Sequence, residues 1–221
     1  MAWDSVWDDV FKNNEWGKYP DENLIRFIAS KYYSSVNRGN IKVIEVGCGP
    51  GANLWYISRE GFKAFGVDGS QKAINIAKKR FRDEHLKAEL TVCDIIKLSY
   101  PDNYFDCVVD VECLYANSYA NTELILQEIH RIMKIGGYFF SKSISDKMYL
   151  GKDREEISRM EFNNISDGPV AGKGFARIMS QDDIIKLYGS LFTIESIDLH
   201  EYTRNNQNFF SSEWVIICSK K

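Results

Sequence analysis

The chain has 221 residues, 44% of them hydrophobic and 14% aromatic, enough for one good core and consistent with a single domain plus an embellishment. Its formal net charge is −3 with acids and bases interspersed, so capture of nucleic acid by charge is not expected, and no apolar run approaches the roughly 20 residues of a bilayer span, so no membrane partner is expected. Five cysteines without Cys-x-x-Cys spacing, three unpaired histidines and an N-terminus without signal-peptide character predict reduced thiols, a cytoplasmic location and no metal site.

In chain order, Trp3, Trp7 and Phe11 recur at helical spacing and predict a short amphipathic helix, broken by Pro20. Leu24, Ile25, Phe27, Ile28 and Tyr32 predict a second helix over 21–35, with Asp21 as its N-cap. Ile41, Val43, Ile44 and Val46 form a β-branched run suited to a strand buried on both faces of a parallel sheet. Glu45 interrupts that run. Gly47, Gly49 and Gly51 follow at alternate positions, where no Cβ blocks the approach of a ligand to the backbone. Residues 53–59 read as a helix resting on Leu54, Ile57 and Trp55. A strand, a glycine-rich turn and a helix N-terminus together make a nucleotide cradle.

The second strand is predicted over 63–67 and runs into Asp68, Gly69 and Ser70. An acid at this strand end sits where a ribose arrives in doubly wound sheets, while Ser70 is the better cap for a helix over 70–82. A third strand over 88–93 leads to Asp94 and Ile95, and a fourth over 104–111 follows the turn signal Pro101-Asp102-Asn103. A strongly periodic helix covers 122–134, with Gly136 as its C-cap and a fifth strand beyond. His130 on that helix reads as a packing residue. Residues 143–179 form an insert of mixed charge with a loop over 163–175, in which Lys173 and Arg177 are candidates to meet a substrate carboxylate or phosphate. Ser180 and Asp183 form a capping-box variant that opens a helix closed by Gly189. Strands over 191–199 and 214–219 complete the chain, joined by a polar connection over 200–213.

Two ligand classes fit the cradle. Gly47, Gly49 and Ala52 satisfy G-x-G-x-x-A, with Asp68 as the ribose-binding acid of a dinucleotide fold. Glu45 and the third glycine give Glu-x-Gly-x-Gly-x-Gly, which resembles motif I of the class I, seven-stranded S-adenosylmethionine-dependent methyltransferases. Phe105-Asp106 with its following apolar pair resembles the fourth strand of that family. Met133-Lys134-Ile135-Gly136-Gly137 resembles its Leu-Lys-Pro-Gly-Gly turn, with Ile135 in the proline place. The resemblance runs from residue 41 to the C-terminus outside the insert.

The resemblance implies an α/β fold: a doubly wound, seven-stranded, mostly parallel sheet with one antiparallel strand and helices on both faces. It implies one domain, with an N-terminal helical lid (1–38), a cofactor-binding half (41–142), a substrate-side insert (143–179) and a C-terminal helix and strand hairpin (180–221). It implies S-adenosyl-L-methionine as cofactor, held by Glu45, Gly47, Cys48, Gly49, Gly51, Asp68, Gly69, Asp94, Ile95 and Asp110. Asp68 would take the ribose hydroxyls, and Asp94 and Ile95 the adenine. The implied activity is methyl transfer to an oxygen or nitrogen of a small molecule. The alternatives are a protein or RNA methyltransferase, or a non-catalytic cofactor-binding module. The chain departs from members acting on base or amide nitrogens, because no proline follows strand four where they carry Asn/Asp-Pro-Pro-Tyr/Phe. Glu112, Tyr115 and Tyr19 of the lid are the candidate catalytic residues, a base being needed only when the acceptor arrives protonated.

Overall fold

The structure is a computed structural model that describes residues 3–14 and 16–221. Its elements in order are α1 (Val6–Asn13), α2 (Glu22–Tyr32), β1 (Lys42–Val46), α3 (Ala52–Arg59), β2 (Lys63–Asp68), α4 (Gln71–Asp83), β3 (Ala88–Val92), β4 (Phe105–Val111), α5 (Tyr119–Ile132), β5 (Met133–Ile144), β6 (Glu155–Ser158), β7 (Glu161–Asn163), β8 (Ala176–Arg177), α6 (Gln181–Gly189), β9 (Thr193–Arg204) and β10 (Phe209–Ser219). The main sheet has seven strands in the order β3-β2-β1-β4-β5-β10-β9, with β10 antiparallel to both of its neighbours. This is the doubly wound architecture the sequence predicts. Val43, Ile44 and Val46 are buried on both faces of β1, which explains the unbroken β-branched run. Leu24, Phe27 and Ile28 of α2, Leu54 and Ile57 of α3, and Ile74 and Phe81 of α4 pack one face. Ile125 and Ile129 of α5 with Ile184 and Leu187 of α6 pack the other.

Strand order reverses between β1 and β4, so the chain leaves these adjacent strands in opposite directions and opens a crevice at their carboxyl ends. Local sequence sharpens the boundaries there. Asp21 caps α2 by accepting from the Asn23 and Leu24 N–H groups, and Ser70 caps α4 by accepting from Ala73 N–H at 3.1 Å. Ser180 and Asp183 complete a reciprocal capping box on α6.

Three expectations are corrected. Gly136 does not cap α5, because Ile132 is the last helical residue and Met133 is already extended. Residues 134–137 instead bulge from β5 opposite Asp106 alone, and Gly136 supplies the positive φ of 75° that this bulge requires. The polar segment 200–213 is mostly strand: β9 and β10 pair from Thr193 with Ser219 out to Arg204 with Phe209, and the turn is only Asn205–Asn208. The insert contains a small antiparallel sheet, β6-β7-β8, which its charged sequence does not advertise. Its own core of Met148, Leu150, Phe162, Ile165 and Val170 packs against Tyr115, beside the crevice.

Candidate functional site

The glycine turn after β1 is shaped by what surrounds it. Gly47 has φ 66°, and a Cβ there would lie 2.1 Å from Cys113 Sγ, so no other residue fits without moving the end of β4. The Gly49 N–H donates to Asp68 Oδ2 at 2.8 Å, and the Ser70 N–H donates to Asp68 Oδ1 at 2.7 Å. Asp68 thereby ties the ends of β1 and β2 together, and burial pushes its carboxyl up despite those two bonds. Glu45 is 2% exposed. Its Oε1 accepts from Asn53 Nδ2 at 2.7 Å, while Oε2 is buried with no partner among the described residues. Burial, opposed by the Asn53 bond and reinforced by Asp110 and Asp68, raises its carboxyl to about 8.

These groups open on one cavity of about 370 Å³, a volume suited to a nucleotide-sized ligand. Glu45, Gly47, Cys48, Gly49, Asp68, Gly69, Asp94 and Ile95 all line it. Two sequence candidates do not. Gly51 begins α3, and a Cβ there would press on Phe81 and Ala77 at 3.2 and 3.3 Å, so its role is close packing of α3 on α4. Asp110 is fully buried, and its carboxylate is consumed by the Cys113 and Leu114 N–H groups and the Ser141 hydroxyl at 2.9, 3.1 and 2.7 Å. It holds the 3-10 turn Leu114–Ala116 in place rather than facing the cavity.

Glu112, Tyr115 and Tyr19 also line the cavity. Glu112 adopts a left-handed φ of 58°, an uncommon conformation for a non-glycine residue, at the carboxyl end of β4. Its Oε1 lies 3.4 Å from Lys142 Nζ. Tyr115 is buried, and that burial pushes its phenol well up, so it stays protonated at neutral pH and is no base. Tyr19 is 77% exposed at the rim, edge-on to Trp55. Arg177, a candidate anion ligand, lies outside the cavity. It is buried and donates to Asn117 O at 3.0 Å and Thr122 Oγ1 at 2.9 Å, pinning β8 to the start of α5.

Lys142 is the residue that sequence reasoning missed. It lines the cavity from β5 and pairs with Glu213 at 2.8 Å and Asp21 at 2.9 Å. Burial pulls its ammonium down, but Glu112, Asp21 and Glu213 together push it above its ordinary value, so it remains charged. A signal was present: a lysine directly after Phe139-Phe140-Ser141 in a strand otherwise made to be buried.

The N-terminal segment roofs the cavity. Phe11 sits against Gly49, and Trp3 against Gly69 so closely that a Cβ there would meet its ring at 2.3 Å. The Ser70 hydroxyl donates to Asp8 Oδ1, and Trp7, Phe11 and Trp16 form one edge-packed aromatic group. Among the described residues no group of three His, Cys, Asp or Glu side chains is placed to hold a metal ion, and no helix is long and apolar enough to cross a membrane.

Comparison with known proteins agrees with this geometry. Residues 43–137 match a family described as a methyltransferase domain. The fatty-acid O-methyltransferase of Mycolicibacterium smegmatis is 31% identical over 123 residues, which are 53% of this chain and 43% of that protein. The tRNA N(3)-methylcytidine methyltransferase of Schizosaccharomyces pombe is 24% identical over 203 residues, 85% of this chain and 64% of that protein. The chain thus spans less than two thirds of either relative. A structure described in work on the conversion of a disulfide bond into a thioacetal group during echinomycin biosynthesis superposes with a TM-score of 0.75 at 18% identity, over 98% of this chain and 92% of that one.

Proposed function

We propose that the chain is a class I, S-adenosylmethionine-dependent methyltransferase and that it transfers a methyl group to an oxygen or nitrogen of a small molecule. The observation that carries this reading is the convergence of Glu45, Asp68 and Asp94 with the glycine turn on one roofed cavity that also meets Glu112 and Lys142. The residues fit the cofactor on structural grounds. Glu45 Oε2 is an orphaned buried acceptor, suited to a cationic amine. Asp68, at the end of β2, is the acid for the ribose, and Asp94 with the apolar Ile95 suits an amino-substituted base. When bound, the cofactor supplies an electrophilic methyl on a sulfonium, open to in-line displacement by the acceptor.

The protein's own part is to align and to exclude water, and such positioning is worth roughly 7–11 kcal/mol of barrier. Phe11, Trp7 and Trp16 keep water from the cavity, and the Asp68 bonds hold the glycine turn in shape. Lys142 stays charged and anchors Glu112 toward the acceptor side. With Tyr115 and Lys142 both held protonated, Glu112 and the rim residue Tyr19 are the remaining candidates to take a proton from an acceptor that arrives protonated. The roofed cavity and the net charge of −3 support a small acceptor. The likeness to a tRNA methyltransferase over most of the chain makes RNA the second reading.

The test is calorimetric titration with S-adenosylmethionine and S-adenosylhomocysteine, with NAD as control, on wild type and Asp94→Ala. Micromolar binding of the first two is expected, weakened roughly tenfold or more in the variant, the value of a charge-assisted hydrogen bond. Asp94 is probed rather than Asp68 because its loss spares the Gly49 and Ser70 bonds that shape the glycine turn, although it releases the Ile96 N–H. Binding of NAD alone would return the site to the dinucleotide class. Methylation of total tRNA with labelled cofactor, and of no small acceptor, would move the reading to RNA.

A further inference from the structure

Among the described residues three cations line the cavity, and two of them are already matched. Lys142 is paired with Asp21 and Glu213. Arg204 donates to the Tyr202 hydroxyl and lies 3.9 Å from Glu213 Oε1. Lys173 differs: among the described residues no carboxylate lies within ion-pair distance of its ammonium. It is nonetheless partly buried, at the centre of the turn Gly172-Lys173-Gly174, whose glycines have φ of 69° and 75°.

That turn is wedged in place. A Cβ at Gly174 would lie 2.8 Å from Val6 Cγ1 and 3.2 Å from Asp4 Oδ2, so the turn lies directly against the N-terminal roof. Burial pulls the Lys173 ammonium down, and the charges acting on it are Glu112, Arg204 and Glu213. An ammonium withdrawn from water without a partner is costly, and an arriving anion would remove that cost.

We propose that Lys173 is a specificity-determining residue that pairs with an anionic group, a carboxylate or phosphate, carried by the methyl acceptor. The cofactor also carries a carboxylate, but Lys173 reaches the cavity from the insert, between β7 and β8, whereas Glu45 and Asp68 reach it from β1 and β2. Trp7, packed against the insert core beside Tyr115, adds an apolar wall on this side of the cavity, so the acceptor is an acid with a hydrophobic body. This inference rests on the methyltransferase reading.

The experiment is titration of the protein saturated with S-adenosylhomocysteine. The probes are phenylacetate, decanoate and phenyl phosphate, each against a neutral match: phenylacetamide, decanol and phenol. Wild type, Lys173→Gln and Lys173→Arg are compared. At least one acid is expected to bind about tenfold more tightly than its neutral match, to lose that margin in Lys173→Gln and to regain most of it in Lys173→Arg. S-adenosylhomocysteine affinity is expected to change less than about twofold in both variants. Acids that never outcompete their neutral matches would overturn the proposal. So would a loss of S-adenosylhomocysteine affinity in Lys173→Gln with acid binding intact, which would assign the ammonium to the cofactor's carboxylate. Failure of wild type to bind S-adenosylhomocysteine at all would instead remove the cofactor reading, and this proposal with it.

Discussion

Glu45 is the residue whose chemistry departs furthest from its value in water among the cavity acids. Its carboxyl titrates near 8 in the folded protein against an ordinary 4.5, so the fold holds a proton that the unfolded chain gives up. Between those two values the folded state binds more protons than the unfolded state, and stability falls as pH rises. Asp110, raised to about 6 chiefly by burial, adds to the same slope at its lower end. Glu45→Gln removes the larger contribution. The variant should show a flatter decline of stability from pH 5 to pH 8, and at pH 8 should gain on the order of a few kcal/mol over the ligand-free wild type. Chemical denaturation across that range measures it, and an unchanged slope would show that Glu45 titrates normally. This acid was legible in the sequence because a carboxylate inside a β-branched strand has no solvent to face. Lys142 carries the same mark in β5 but was passed over, because sequence does not show which carboxylates stand opposite it.

At the scale of elements, α1 is held by side chains rather than by a sheet or a long helix interface. Val10 and Phe11 are its buried residues, Asp8 takes the Ser70 hydroxyl, and Trp7 bridges toward the core of the insert. An eight-residue helix has little stability of its own, so its position depends on these contacts. Trp7→Ala should therefore speed S-adenosylhomocysteine dissociation by roughly 5–10-fold while changing association little, since interface changes act mostly through the off-rate. Stopped-flow tryptophan fluorescence measures both, and an unaltered off-rate would show that the roof does not gate the site. The periodicity of Trp7 and Phe11 foretold this helix, but not that its apolar side would cover a glycine turn. The β9–β10 hairpin was underestimated for a different reason. Beyond Leu199 the β9 residues are mostly polar and exposed, while Ser211, Ser212 and Glu213 of β10 are polar yet buried, so the alternation that signals a half-buried strand is missing, while the backbone ladder continues.

The whole molecule is tied together at Lys142. Asp21 at the start of α2, Glu112 at the end of β4 and Glu213 on β10 converge on its ammonium, joining segments as far apart as 121 residues in the chain. Asp21 also donates its N–H to Asn53, which in turn bonds Glu45, so the cluster is continuous with the glycine turn. Lys142→Met removes the charge from buried carboxylates and keeps the chain length. It should cost roughly 3–5 kcal/mol, the usual penalty for stranding one side of a buried pair. The interactions removed are ionic, so the loss should shrink in acid. Thermal denaturation at pH 4.5 and pH 7.5 compares the two, and an equal loss at both values would point to packing instead of charge.

The sequence by itself determined the sheet, its helices and the cofactor edge. Each of these is written in short-range pattern: β-branched runs, helical periodicity, glycines at alternate positions, and acids at strand ends. Tertiary structure alone decided which of those acids face the cavity. Asp110 was drawn inward by the N–H groups of a turn and the hydroxyl of a neighbouring strand, while Asp94 lines the cavity. It also decided the insert sheet, the roof over the glycines, and the pairing of Lys142 with carboxylates where Lys173 has none within ion-pair distance among the described residues. Those outcomes depend on contacts between residues tens to more than a hundred positions apart, and burial and charge pairing are properties of the assembled neighbourhood that local sequence does not contain.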